Sequence, residues 1–238
     1  MSDQAPDFLV YGVPVSPFVR KVLATSIEKG VGFDIEPLNI MSPPEWFATI
    51  SPMKRIPILR DRSIAPEGDH SSAEGTIADS SAICGYIEKK HPTPAVYPAA
   101  PFAYGRALYL EEYADTVLAP ATGLGMFRPI FFNMAQGKAP DIEQAKKAWS
   151  QDLPPVLDFL EAQLGDAQYF AGVTLSIADI AITCCFMQGE LVAKTPLDAW
   201  PALKAHHERM NARPSIAGPF KTAAGFIAKA LPEPFDLT

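Results

Sequence analysis

The chain has 238 residues, 48% of them hydrophobic and 20% charged, with a formal net charge of −7. That length suffices for a sizeable core in one large or two small domains. The acidic balance excludes the basic footprint of a nucleic-acid binder and the basic cluster that holds a protein on an anionic membrane surface. No uninterrupted apolar run reaches the length of a membrane span. The first ten residues carry no basic stretch and no long apolar stretch, so no secretory leader is expected. Cys84, Cys184 and Cys185 are odd in number, with two adjacent, which does not describe a disulfide framework; a reducing, cytoplasmic compartment is expected. Cys184 and Cys185 fall in an apolar run and read as small core residues. Metal-ligand spacing is absent, and no metal is expected.

In chain order, the apolar run at 8–10 predicts a strand, broken by Gly12 and Pro14. Ser16-Pro17 then opens an apolar-periodic helix that Gly30 ends; Ser at the N-cap and Pro at the first helical position are start signals. Residues 33–37 predict a second strand, and the proline-containing stretch 42–49 is helical or irregular. Ile56, Ile58 and Leu59 predict a third strand with Pro57 at its start. A polar tract at 60–75 is a loop. Residues 76–78 predict a short last strand, after which Asp79, Ser80 and Ser81 cap a helix running to Lys90. Residues 91–101 hold four prolines and form an extended linker. Helices are predicted at 102–118, 124–136, 142–164, 176–193, 201–212 and 215–231, with Pro129 and Pro154-Pro155 expected to kink or break two of them. This order predicts an α/β domain over 1–90, a linker over 91–101 and an all-helical domain over 102–238.

The first segment with chemical content is the Ser16 junction. Unpaired N–H groups and the positive helix end favour an anion there. Ser16 is a plain helix cap on one reading; on the other its hydroxyl donates to a bound thiolate, which favours the ionised form. Arg20 lies on the same helix face and either adds positive potential or is solvated. Tyr11 offers a second hydroxyl, but it sits in or at the end of the strand, so Ser16 is better placed.

Three further segments carry a resemblance. Ser51-Pro-Met-Lys-Arg-Ile-Pro57, followed by Ile58 and Leu59, resembles the Asn-Pro-x-Gly-Lys-Val-Pro-x-Leu motif of the glutathione transferases. Ser51, Lys54, Arg55 and Ile56 replace its Asn, Gly, Lys and Val. Asp79-Ser80-Ser81-Ala82-Ile83, with Tyr86 and Ile87, matches the family's Glu/Asp-Ser-x-Ala-Ile-x-x-Tyr-Leu. Ser176 and Asp179 have capping-box spacing, flanked by Leu175 and Ile180 at staple spacing; the family opens a buried C-terminal helix with such a box. With the Ser16 junction and the linker, these segments cover nearly the whole chain in the family's order. The sequence is identified as similar to cytosolic glutathione S-transferases of a serine-type, bacterial-like branch.

The resemblance implies a thioredoxin-like N-terminal domain, an all-helical C-terminal domain, a homodimer, and glutathione as co-substrate. It implies a cis bond at Pro57 and places the backbone of Ile56 against the cysteinyl unit of glutathione. Arg55 falls where a basic side chain meets the glycine carboxylate. Ser80 and its helix end take the γ-glutamyl carboxylate, and Asp79 balances the amine. Ser16 stabilises the thiolate, which attacks an apolar electrophile. Val13, Met126 and Phe127 would line the electrophile's pocket, although the aromatic cluster at 126–132 also reads as core. Lys54 stands where the family has Gly and is strained if that position needs positive φ. The 60–75 tract, where the family often has a tight hairpin, is an insertion or lies near a subunit interface. Glu111, Glu112 and Asp115 form a polar helix face, and His206-His207 are expected to be solvated.

Two other readings stand beside the transferase. One is a glutathione-dependent thiol-disulfide or peroxide oxidoreductase, whose relatives have Cys where this chain has Ser16; Cys84 is the nearest candidate thiol. The other is a non-catalytic binding protein on the same fold.

Overall fold

The computed structural model describes residues 6–65 and 73–237. Part of the expected 60–75 loop, residues 66–72, therefore lies outside the described residues. Four strands make one sheet in the order β2-β1-β3-β4. Strand β1 (Phe8–Tyr11) runs parallel to β2 (Phe33–Glu36) and antiparallel to β3 (Ile58–Asp61), which pairs antiparallel with β4 (Thr76–Ala78). Parallel neighbours need a crossover, and helix α1 (Pro17–Glu28) supplies it between β1 and β2. All four residues of β1 are buried. Its sequence is accordingly an unbroken apolar run rather than an alternating one, as befits a strand covered on both faces. Short α2 (Phe47–Ile50) precedes β3, and α3 (Ser80–Lys90) follows β4. This is the expected thioredoxin-like unit.

The proline-rich linker is tied down rather than free. Lys29 Nζ donates to the Pro94 carbonyl (2.7 Å) and Glu88 Oε2 (2.6 Å), while Ile177 N–H donates to the Val96 carbonyl (2.8 Å). From Pro101 the chain is helical almost throughout. Helix α4 (Pro101–Tyr113) continues through wide π-helical turns at Ala114–Leu118 and Pro120–Phe132 into α5 (Asn133–Ala135). The separate helices expected at 102–118 and 124–136 are thus one continuous course. A proline ring clashes with the carbonyl four residues back in an α-helix; the wider register around Pro120 and Pro129 takes them in without a break. Pro154 does end a helix: α6 (Ile142–Lys147) and a wide turn (Ala148–Asp152) stop before it, and α7 (Pro154–Leu164) starts on it. Helices α8 (Ile177–Glu190), α9 (Pro201–Asn211) and α10 (Pro214–Ile227) complete the fold. None of the described helices is long and apolar enough to cross a membrane.

Among the described residues there are two hydrophobic cores, one under the sheet and one among the helices, and α8 belongs to both. Cys184 faces the first and Cys185 the second, so both are core residues, as expected. Helix α8 starts at a buried polar knot. Asp179 accepts from the Ser176 N–H (2.8 Å), the Ser176 hydroxyl (2.8 Å) and the Phe170 N–H (2.9 Å), and meets His206 Nε2 at 2.9 Å. His206 is therefore buried and partnered, not solvated; its neighbour His207 is half-buried against Glu190 at 3.0 Å. The polar helix pattern hid this, because only one edge of α9 turns inward.

A second tie joins α1 to α10. Glu28 accepts two bonds from Arg213, at 2.7 Å each, and one from the Ser215 hydroxyl. Burial alone would raise the Glu28 pKa, but the Arg213 and Ser215 bonds outweigh it and hold the carboxyl below its usual value.

Two outcomes follow from these ties. Asp179→Ala strips the acceptor from several buried donors and is expected to cost about 3–5 kcal/mol. Ser176→Ala is expected to cost about 1–2 kcal/mol; urea midpoints compare the two. For Glu28 the depressed carboxyl contributes stability that is present above its unfolded pKa of roughly 4.3 and lost as pH falls through the lower folded value. The stability gap between the unsubstituted chain and Glu28→Gln should accordingly shrink as pH drops below about 4. Urea titrations of both proteins from pH 7 to 3 measure it.

Candidate active site at one end of the sheet

Strand register gathers the sequence motifs. Tyr11 at the end of β1 pairs with Ile58 at the start of β3, and Ile58 pairs with Ala78 at the end of β4. The loop after Tyr11, the Ile56-Pro57 peptide before Ile58 and the Asp79-Ser80 turn after Ala78 therefore leave the sheet at the same end. Adjacent strands lie about 4.8 Å apart, so the three stations span about 10 Å.

The first station depends on Gly12. Its φ is 156°, and a Cβ there would come within 2.6 Å of Val19 Cγ2 and 3.7 Å of the Ile56 Cβ. The close approach to Val19 of α1 and the positive φ both call for glycine here. Ser16 caps α1 in extended backbone, and its Oγ accepts from the Val19 N–H at a long 3.4 Å. A hydroxyl has one proton to donate besides its lone pairs, and that proton is not used in the cap. Arg20 is not solvated. It is buried and donates to the carbonyls of Pro14 (2.9 Å), Val15 (3.1 Å) and Cys184 (2.9 Å), and to Gln188 Oε1 (3.0 Å). It thus clamps the Ser16 loop onto α8. Tyr11 is buried, with its ring 5.0 Å from that of Trp46.

At the second station the Ile56-Pro57 peptide is cis. The turn before it is stapled by Ser51, whose Oγ donates to the Arg55 carbonyl (2.9 Å) and accepts from the Arg55 N–H (3.1 Å). Lys54 closes the turn at φ 53°, the left-handed region, so the replacement of Gly does strain the backbone. Arg55 is exposed beside it.

At the third station Asp79 has φ 84° and caps α3, its Oδ1 accepting from the N–H groups of Ser81 (3.0 Å) and Ala82 (3.1 Å). Ser80 is the first residue of the helix and is buried.

Val13 is half-buried on the site side of the sheet core. Met126 and Phe127 are not on an open wall. Both are buried in the helical core, where a Cβ on Gly189 of α8 would meet Met126 Sδ at 3.3 Å. The wide-turned helix directs that face into α8, and packing is the role the structure gives them. Cys84 is buried beside Thr25, with its Sγ 3.4 Å from the Thr25 hydroxyl, and burial pushes its thiol up to about 12. It is no thiolate at neutral pH.

Sequence reasoning missed one cluster next to the third station. Lys21 Nζ, on α1, meets Ser81 Oγ (2.9 Å), Glu111 Oε1 (3.1 Å) and Asp115 Oδ2 (2.6 Å). Within the polar helix face, Glu111 and Asp115 are thus partners of a buried cation. Their i, i+4 spacing was the available signal, since it puts both on one side of a helix.

Comparison with known proteins agrees with this fold. The model of the glutathione S-transferase N-terminal domain matches residues 10–95, and that of the C-terminal domain matches residues 121–214. Glutathione S-transferase 3 of Zea mays is 29% identical over 220 residues, covering 87% of this chain and 90% of that protein. A glutathione S-transferase from Rhodospirillum rubrum F11 superposes with a TM-score of 0.77 at 21% identity, covering 89% of this chain and 91% of that one. A glutathione S-transferase I bound with lactoylglutathione superposes with a TM-score of 0.74 at 22% identity, covering 92% and 100%. The chain belongs to the glutathione S-transferase family.

Lys54→Gly should relieve the left-handed strain and raise stability by about 0.5–1 kcal/mol. Thermal unfolding measures it; a fall in stability would mean that the Lys54 side chain contributes more than its backbone costs.

Proposed function

We propose that this enzyme binds glutathione along the sheet end and stabilises its thiolate through the Ser16 hydroxyl for attack on an apolar electrophile. The observation that carries the reading is the shared register of Tyr11, Ile58 and Ala78, which lines up three motifs over about two strand spacings, roughly the reach of an extended tripeptide. In this reading residues 1–90 bind glutathione, 91–101 link, and 102–238 close the electrophile side. Ser80 and the α3 N-terminus take the γ-glutamyl carboxylate, Asp79 faces the amine, the Ile56 backbone pairs with the cysteinyl unit, and Arg55 meets the glycine carboxylate. The thiolate then sits at the Ser16 end, where the hydroxyl proton and the α1 N-terminus both favour negative charge. Val13 borders the electrophile. The lactoylglutathione complex of the structural relative supports a ligand of this class.

The oxidoreductase reading lacks a nucleophile: Cys84, Cys184 and Cys185 are buried, and burial raises all three thiols. The family resemblance makes a homodimer the expected assembly, and Phe102, Tyr109, Val117 and Leu124 are exposed apolar residues on the long helical course that a second copy would cover.

Ser16→Ala tests the core of the proposal. Glutathione should still bind in calorimetry, while the pKa of the bound thiol, read from thiolate absorbance, should rise by about one to two pH units, since a hydrogen bond to a charged group contributes about 1.5–3 kcal/mol. Turnover at neutral pH should fall with it. An unchanged thiol pKa removes Ser16 from the mechanism; binding with no thiolate in the unsubstituted protein would favour a non-catalytic binding role.

A further inference from the structure

We propose that Lys21 is a positioning residue for the γ-glutamyl end of the site, acting through Ser81; the proposal rests on the glutathione reading above. The Lys21 side chain is only 1% exposed, and its ammonium has three donors. They go to Ser81 Oγ, Glu111 Oε1 and Asp115 Oδ2, at 2.9, 3.1 and 2.6 Å. Burial works against the charge, but Asp115 and Glu111 outweigh it and hold the ammonium pKa above its usual value. Lys21 is therefore a fixed cation.

Ser81 connects Lys21 to the head of α3. It is the second residue of α3, directly after Ser80. Its N–H donates to Asp79 Oδ1 (3.0 Å), and its hydroxyl accepts from Lys21 while donating to Asp115 Oδ2 (3.2 Å). The hydroxyl is engaged on both sides, so the first turn of α3 is pinned in three directions. One pin runs to its own cap, one to α1, and one to the helix that begins the second domain. Such over-determination is what a non-glycine residue at positive φ needs to persist, and Asp79, at φ 84°, is such a residue. Asp79 engages the N–H groups of Ser81 and Ala82, leaving Ser80 at the head of the helix. A shift in the turn moves Ser80 directly, whereas the Ser16 loop is held separately by Arg20. Loss of the Lys21–Ser81 bond should thus disturb head-group binding and spare thiol activation.

The experiment is calorimetric titration of the full chain with glutathione, paired with thiolate absorbance against pH. Ser81→Ala keeps the Lys21–carboxylate pairs and should weaken glutathione binding by about five- to tenfold, the equivalent of one lost hydrogen bond. The bound-thiol pKa should stay where it is in the unsubstituted protein, and Ser81→Thr, which retains the hydroxyl, should restore affinity. Lys21→Met should weaken binding at least as much; if it fails to fold, the Ser81 variants alone decide. Unchanged affinity in Ser81→Ala, with or without a lower melting temperature, overturns the proposal and leaves the cluster as glue between domains. A raised thiol pKa in Ser81→Ala overturns it too. If the unsubstituted protein takes up no glutathione, the underlying reading fails and carries this inference with it, a result distinct from failure of the variant.

Discussion

Two cations on consecutive residues of one helix hold the molecule's halves in register. Arg20 and Lys21 sit on α1 between the sheet and the helical domain, and both are almost fully buried. A buried charge costs several kcal/mol unless its donors are matched. Arg20 offsets most of this cost with three carbonyls and a side-chain amide on its two terminal nitrogens, its Nε alone staying without a partner among the described residues, and Lys21 with two carboxylates and a hydroxyl. Their contacts diverge. Arg20 fastens the loop after β1 to α8, and Lys21 fastens the head of α3 to the long helix of the second domain. Both rims of the candidate site are thereby referred to the same helix.

Between these rims the sheet sets the spacing. Antiparallel pairing on both sides of β3 makes β1 and β4 end together, so the site is a row of loop positions across strand ends rather than a cavity cut into a core. Its tolerances are those of backbone geometry: a glycine that admits Val19, a serine that staples a turn, and two non-glycine residues, Lys54 and Asp79, at positive φ.

Most of this fold was legible because local signals were strong. The Ser16-Pro17 start, the strand at 76–78 and the Asp79 cap depend on short-range chemistry that a sequence displays. The long helix was misread because proline predicts a break in an α-helix, and a wide-turned register is not a local property of composition. The turn residues of the candidate site stand out in the sequence as motifs, whereas Met126 and Phe127 were open to two readings, since an apolar helix face does not say whether it meets a ligand or another helix. His206 and the Lys21 cluster were hidden for a related reason. A charged or polar side chain looks solvated until its partner arrives from elsewhere in the chain, and Asp179 lies 27 residues from His206 while Asp115 lies 94 from Lys21.

Helix α8 bears on how such a chain holds together at all. It is buried along all but its last residue, with Cys184 turned to one core and Cys185 to the other. A helix that is apolar around its circumference has no face to give to water. Neither half is therefore a free-standing module: cut at the linker, the sheet would expose the surface α8 covers, and the helical remainder would expose the opposite side of α8. The proline-rich segment looks like a seam between two parts, but the protein comes apart as one piece.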